Sequence, residues 1–310
     1  MKIVFMGTPH AAVASLARLM QDGHEVVAVY TQPDKPAGRG NKILFSPVKR
    51  FATDHDLPIF QPSKVRTKEA LEEFLSHKAD VAVVVAYGRI LPATFLNAFP
   101  MGAINVHFSL LPKYRGAAPV NWAIVFGEKS SGVTAMQMDA GLDTGPILMQ
   151  RETEIGENET AIELMQKLSV LGADLLAETL TSFKTLVPQP QNELESSLAP
   201  IMKKEDGLIS WMLNASDISN RVRGFQPFPT AFTFFQGKQI TVWSSNVADA
   251  PHELRHPGEI IEVSRDRILV FCGGDSVLQI NEVQLEGKRR MHTRDFVNGV
   301  RPQIGEVFGS

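Results

Sequence analysis

The 310-residue chain is predicted to be an α/β protein: a Rossmann-like, doubly wound, mostly parallel sheet, followed by an OB-like antiparallel β-barrel domain. Three observations predict this. Short apolar runs without polar alternation recur in the first half, as in strands buried on both faces. Helix-length amphipathic stretches separate those runs. Beyond a proline-punctuated polar stretch, the pattern changes to closely spaced short strands bounded by glycine turns.

The first strand is expected at 3–6, ending in Gly7-Thr8-Pro9, with later strands at 25–31, 79–86, 103–107 and 133–138. Helices are expected at 11–21, 67–77 and 117–126. A longer helix is predicted from Thr160, a capping residue, to about Phe183, with Ile162, Met165, Leu168, Leu171, Leu175 and Leu176 along one stripe. Val187-Pro188-Gln189-Pro190-Gln191-Asn192 then carries a linker signature. The predicted organisation is a domain at 1–187, a linker at 188–203 and a second domain at 204–310. In the second domain a helix at 215–224 precedes strands at 230–235, 239–244, 258–263, 267–272 and 277–285.

Composition narrows the function. With 44% hydrophobic residues the chain can build a core, and Cys272 as the single cysteine excludes a disulfide framework. Its apolar surroundings make it a strand residue rather than a nucleophile. No apolar run nears the ~18 residues of a membrane span, and the N-terminal run is too short for a signal peptide. A cytoplasmic protein without membrane partners is expected. The net charge of −3 argues against binding nucleic acid with the whole surface, but it averages over local patches. Residues 34–50 hold five basic residues (Lys35, Arg39, Lys42, Lys49, Arg50) and one acid, in what reads as a long, mobile basic loop. Lys288-Arg289-Arg290 forms a second basic cluster.

No G-x-G-x-x-G follows the first strand and no G-x-x-x-x-G-K-[ST] occurs, so neither a dinucleotide site nor a P-loop is supported. The eight histidines lack H-E-x-x-H spacing, and no metal is expected. Two stretches carry chemistry. In Ala103–His107, strand alternation puts Asn105 and His107 on one face, at a strand's end. Asp139-Ala140-Gly141-Leu142-Asp143-Thr144-Gly145-Pro146 follows another strand. Read singly, the first could be a satisfied cap of the sheet and the second an ordinary tight turn. Together they offer an amide, an imidazole and a carboxylate, the parts needed for acyl transfer to an amine. Ser109 suggests a Ser-His-Asp hydrolase, but the G-x-S-x-G elbow is missing and Pro112 ends the strand soon after.

These motifs resemble those of the folate-dependent formyltransferases. The resemblance runs through Phe5–Pro9, the 31–40 stretch with its P-A-G-R-G, the 84–88 stretch, Asn105-Val106-His107, Ser109-Leu110-Leu111-Pro112, Arg115-Gly116-Ala117-Ala118-Pro119, Asp143-Thr144-Gly145 and the 223–229 stretch. It spans essentially the whole chain, and the P-A-G-R-G loop with the C-terminal barrel is similar to the branch acting on aminoacyl-tRNA. The resemblance implies that Asn105, His107 and Asp143 are catalytic. It implies that Tyr87, Gly88, Ile90, Leu91, Pro92, Ser109, Leu110, Leu111, Pro112 and Asp139 hold a folate. The co-substrate would be 10-formyltetrahydrofolate, and the acceptor the α-amine of methionine on initiator tRNA. Lys35, Arg39, Lys42, Lys288, Arg289 and Arg290 would contact that tRNA, and the protein would act as a monomer. One position departs from the family: Phe108 stands where a small residue or proline is common, and alternation predicts that it faces away from Asn105 and His107.

Overall fold

A computed structural model of the chain describes residues 1–37, 42–249 and 254–309. The chain forms two compact units: Met1–Pro119 with Ser130–Glu154 and Met165–Ala199, and Val120–Lys129 with Ile155–Leu164 and Pro200–Ser310.

The elements run β1 (Lys2–Gly7), α1 (Val13–Gln21), β2 (Glu25–Tyr30), β3 (Lys35–Ala37), β4 (Lys42–Leu44), α2 (Pro47–Asp54), β5 (Ile59–Phe60), α3 (Lys68–Ser76), β6 (Val81–Val85) and α4 (Ala93–Leu96). They continue with β7 (Ala103–His107), β8 (Arg115–Gly116), α5 (Pro119–Val125), β9 (Ser130–Gln137), β10 (Ile147–Glu154), α6 (Ala161–Ser182) and β11 (Leu198–Ala199). Seven of these strands form a sheet in the order β10-β9-β7-β6-β1-β2-β5. The pairs from β5 to β7 are parallel, while β9 runs antiparallel to both β7 and β10. This is the mostly parallel sheet expected, with an antiparallel edge. Every residue of β6 and β7 is buried, as befits central strands of the sheet.

Local chemistry sets the helix starts. Ser46 accepts the Lys49 N–H at 3.1 Å and Pro47 opens α2, while Thr67 accepts the Ala70 N–H at 3.2 Å to cap α3. Thr160 and Glu163 form a reciprocal capping box before α6, and the backbone N–H of Thr160 holds the Glu163 carboxyl below its ordinary range.

Within residues 34–50, expected as one long loop, Lys35–Ala37 and Lys42–Leu44 pair as antiparallel strands, and α2 starts at Pro47. Arg39 lies outside the described residues. Within 188–203, β11 pairs in parallel with β8, so this stretch is partly ordered against the first unit.

The second unit adds α7 (Ala215–Gly224), β12 (Ala231–Phe235), β13 (Lys238–Ala248), β14 (Ile260–Val263), β15 (Ile268–Cys272), β16 (Ser276–Leu285), β17 (Met291–His292) and α8 (Thr293–Val300). Its strands form one antiparallel sheet, β12-β13-β16-β15-β14, with β17 on β16. Ala215, Ile218 and Val222 of α7 share a core with Ile240, Val270, Leu278 and Phe296. Cys272 is fully buried in that core, and burial pushes its thiol up to about 12, which keeps it protonated and inert. Among the described residues no helix is long and apolar enough to cross a membrane.

Candidate active site

Asn105 and His107 sit on one face of β7, only 8% and 6% exposed. The opposite face holds Val106 and Phe108 against α6: a Cβ added at Gly172 would lie 2.9 Å from Val106 Cγ1 and 3.5 Å from Phe108 Cε1. Phe108 therefore packs under the sheet, as alternation predicts, and leaves the Asn105/His107 face clear.

His107 is fixed by its chain neighbours. Its Nε2 lies 2.9 Å from the Tyr114 carbonyl oxygen, and a carbonyl can only accept, so Nε2 carries the proton. Nδ1 then turns toward Asp143, 3.7 Å from Oδ2. That Oδ2 also accepts the Gly116 backbone N–H at 2.8 Å. Asp143 itself holds a left-handed backbone, φ 54°. Asp139 closes the same loop from within, accepting the Gly141 N–H at 3.0 Å and the Thr144 hydroxyl at 2.8 Å.

The Ser109–Pro112 turn is pinned from β9 and β10. Thr134, opposite His107 in the β7–β9 ladder, donates to the Ser109 carbonyl at 2.6 Å and accepts the Leu111 N–H at 3.1 Å. Gln150 donates to the Leu111 carbonyl at 2.8 Å and to Thr134 Oγ1 at 2.9 Å. Ser109 Oγ donates to the Lys113 carbonyl at 2.6 Å, not to His107, so no Ser-His pair forms. Ser109 and Leu111 are buried, while Leu110 and Pro112 are half-buried.

The sequence and the geometry converge here with comparisons to known proteins. A family model described as formyl transferase matches residues 1–180, and one described as formyl transferase, C-terminal domain, matches 201–301. The chain belongs to the formyltransferase family. A methionyl-tRNA formyltransferase of Alkaliphilus oremlandii is 47% identical over 312 residues, with 100% of both chains covered. That of Geobacter sulfurreducens is 47% identical over 311 residues, covering 100% of this chain and 97% of its own. Among solved structures, an N-formyltransferase from Helicobacter canadensis, in complex with folinic acid and dTDP-3-aminofucose, aligns with TM-score 0.68 at 20% identity. The alignment covers 90% of this chain and 98% of that one, a likeness of fold.

In this formyltransferase the loop after β6 divides its residues between core and surface. Tyr87 and Leu91 are buried in the cluster with Phe74 and Phe95, and the Tyr87 hydroxyl has no hydrogen-bond partner there. Gly88 (φ 83°) and Ile90, which is 69% exposed, face outward, and Pro92 leads into α4. The Tyr87 carbonyl accepts from Thr8 Oγ1 and Gln32 Nε2, each at 3.1 Å, which ties the loop to the ends of β1 and β2.

The basic residues are differently engaged. Lys35 is exposed, whereas Lys49 donates to the Asp34 carboxylate and, at 2.8 Å, to Gln61 Oε1. In the second unit Lys288 and Arg289 are exposed, while Arg290 pairs with Glu282 and lies 5.2 Å over the Trp243 ring. Sequence reading missed Trp243, Thr134 and Gln150, which no motif spacing marks. A pattern of aromatic beside cation could have flagged Trp243 only once the fold brought 243 to 290.

The Lys49 hydrogen bond holds the Asp34 carboxyl below its ordinary range, with help from Gln61. A depressed folded value contributes stability that is fully present above the unfolded carboxyl pKa, about 3.9, and is lost as pH falls through the folded value. Asp34→Asn is therefore expected to be less stable than the parent at pH 7, with the gap closing as pH falls through the folded value. Urea unfolding across that range measures it; a gap independent of pH would contradict the pairing.

Proposed function

We propose that this formyltransferase moves the formyl group of 10-formyltetrahydrofolate to the α-amine of the methionine on initiator tRNA, for translation initiation. It works as a cytoplasmic monomer, with catalysis in 1–187, a linker at 188–203 and tRNA binding in 204–310. The observation that carries the chemistry is the convergence of Asn105, His107 and Asp143 at the end of β7, with His107 Nδ1 facing the Asp143 carboxylate at 3.7 Å.

The α-amine must attack as the free base, and at a reference pKa of about 7.7–8.0 much of it starts protonated. His107 Nδ1, the ring nitrogen not engaged by the Tyr114 carbonyl, accepts the amine's proton. The Asp143 carboxylate balances the charge that results. Asn105 Nδ2 and the protonated Nδ1 donate to the oxyanion that develops on the formyl oxygen; the Nδ1 proton then passes to the folate nitrogen as its bond to the formyl carbon breaks. The residues suit a folate: Ile90 and Leu142 offer exposed apolar surface on the loops after β6 and β9. Gly88, Leu110 and the backbone of Tyr87, Leu91 and Pro92 would complete the cradle, with Asp139 closing the far loop.

Lys35, Arg39, Lys42, Lys288, Arg289 and Arg290 are assigned to tRNA phosphates, which supply affinity and salt dependence. Arg39→Ala is expected to raise the KM for tRNA and to reduce the salt slope by about 1, with the KM for formyl-folate unchanged. Identical tRNA kinetics would remove Arg39 from the interface. The central test is transfer of labelled formyl from 10-formyltetrahydrofolate to charged initiator tRNA. Elongator methionyl-tRNA, uncharged tRNA and a nucleotide-linked amino sugar serve as comparison acceptors. Label on the amino sugar in preference to initiator tRNA would overturn the assignment.

A further inference from the structure

Both polar ends of the Gln191 side chain engage the frame around Asp143. Its Nε2 donates to the carbonyls of Asp143 at 2.8 Å and Gly145 at 2.7 Å. Its Oε1 accepts from Arg115 Nε at 3.0 Å and Nη2 at 2.7 Å. Arg115 is buried and also grips Glu193 with two bonds of 2.8 Å. The residue after Arg115 is Gly116, whose N–H holds the Asp143 carboxylate. One amide therefore links the backbone carrying Asp143 to the strand that aims its side chain.

The link is needed because Asp143 occupies the left-handed region, which costs an L-residue roughly 1–2 kcal/mol. A loop free to relax would take the ordinary conformation and turn the carboxylate away from His107. Two hydrogen bonds on the Asp143 and Gly145 carbonyls oppose that relaxation. No motif marks Gln191, which lies 48 positions from Asp143, in the polar stretch beyond α6.

We infer that Gln191 is a positioning residue that keeps the Asp143 carboxylate aimed at His107, an inference resting on the role proposed for Asp143. Gln191→Glu is the discriminating variant. It keeps the side-chain length and still accepts from Arg115, but it has no N–H for the two loop carbonyls.

The experiment measures kinetics and His107 ring ¹⁵N resonances in the full-length parent, Gln191→Glu, Asp143→Asn and the double variant. In Gln191→Glu, kcat is expected to fall about 10- to 100-fold, while both KM values stay within about twofold, because misplacement of a catalytic group by about 1 Å costs on that order. On the Asp143→Asn background the same change is expected to cost less than about twofold, since nothing remains to be positioned. The His107 ring resonances are expected to move in Gln191→Glu as they do in Asp143→Asn. Equal losses on both backgrounds, parental turnover in Gln191→Glu, or unmoved His107 resonances would each overturn the inference. The resonances need no acceptor, so a parent that fails to formylate methionyl-tRNA while His107 responds to Gln191→Glu removes the acceptor assignment and leaves the positioning role standing.

Discussion

Asn105→Ala and His107→Ala are each expected to lower kcat by about 10²–10³ while formyl-folate binding stays near parental, as for the loss of an oxyanion donor. The size follows from burial. Asn105 and His107 are 8% and 6% exposed, so their dipoles act where water cannot reorient to replace them. Both backbones belong to a fully buried strand paired on each side, so the strand itself should survive the truncations. The His107 change also leaves the Asp143 carboxylate without its imidazole, so it should be the more damaging of the two. The double variant should lose little more than His107→Ala alone, because groups acting on one transition state are strongly non-additive. Equilibrium binding of a folate analogue, thermal melting and single-turnover formylation separate these effects. Near-parental turnover in either variant would remove that residue from the reaction.

Gly145→Ala is expected to cost about 3 kcal/mol of stability and nearly all activity, although the substitution adds one methyl group. A Cβ at 145 would be driven into the carbonyl oxygen of Gln137 and would lie 3.3 Å from the Asp139 nitrogen. Both are backbone atoms at the end of β9, so no side-chain rotation relieves the clash. The Gln137 N–H donates to the Pro146 carbonyl at 3.0 Å, and this closure of the loop must open. Asp143, two residues earlier, loses its place with it. Gly299→Ala in α8 is the control: nothing lies within 4 Å of the added carbon, and alanine should be neutral or stabilising by up to about 1 kcal/mol. Urea midpoints and kcat for both variants test the contrast. A parental midpoint for Gly145→Ala would mean the loop yields without cost.

Legibility in the sequence tracked the physical reach of each signal. The buried parallel strands were readable because packing on both faces demands runs such as Val81–Val85. β10 was missed because it is an edge strand: Gln150, Glu152 and Glu154 are exposed and break its apolar character. The paired segments 35–37 and 42–44 were read as loop because Pro and Lys interrupt any apolar pattern there, and their pairing is made by backbone. β17 and α8 were too short to show a period. At the site, Asn105 and His107 were found by strand alternation, which operates over two residues. Thr134, Gln150 and Gln191 act across 16 to 76 positions through side-chain hydrogen bonds, and no spacing rule records such contacts.

The bond from His107 Nε2 to the Tyr114 carbonyl has a consequence for proton traffic. An imidazole with both nitrogens open can pass a proton through, taking it on one side and releasing it on the other. Here one side is sealed by the main chain, so a proton that enters at Nδ1 must depart from Nδ1. The ring is a cul-de-sac: the hydrogen taken from the attacking amine is the one on hand for the nitrogen that the formyl group leaves.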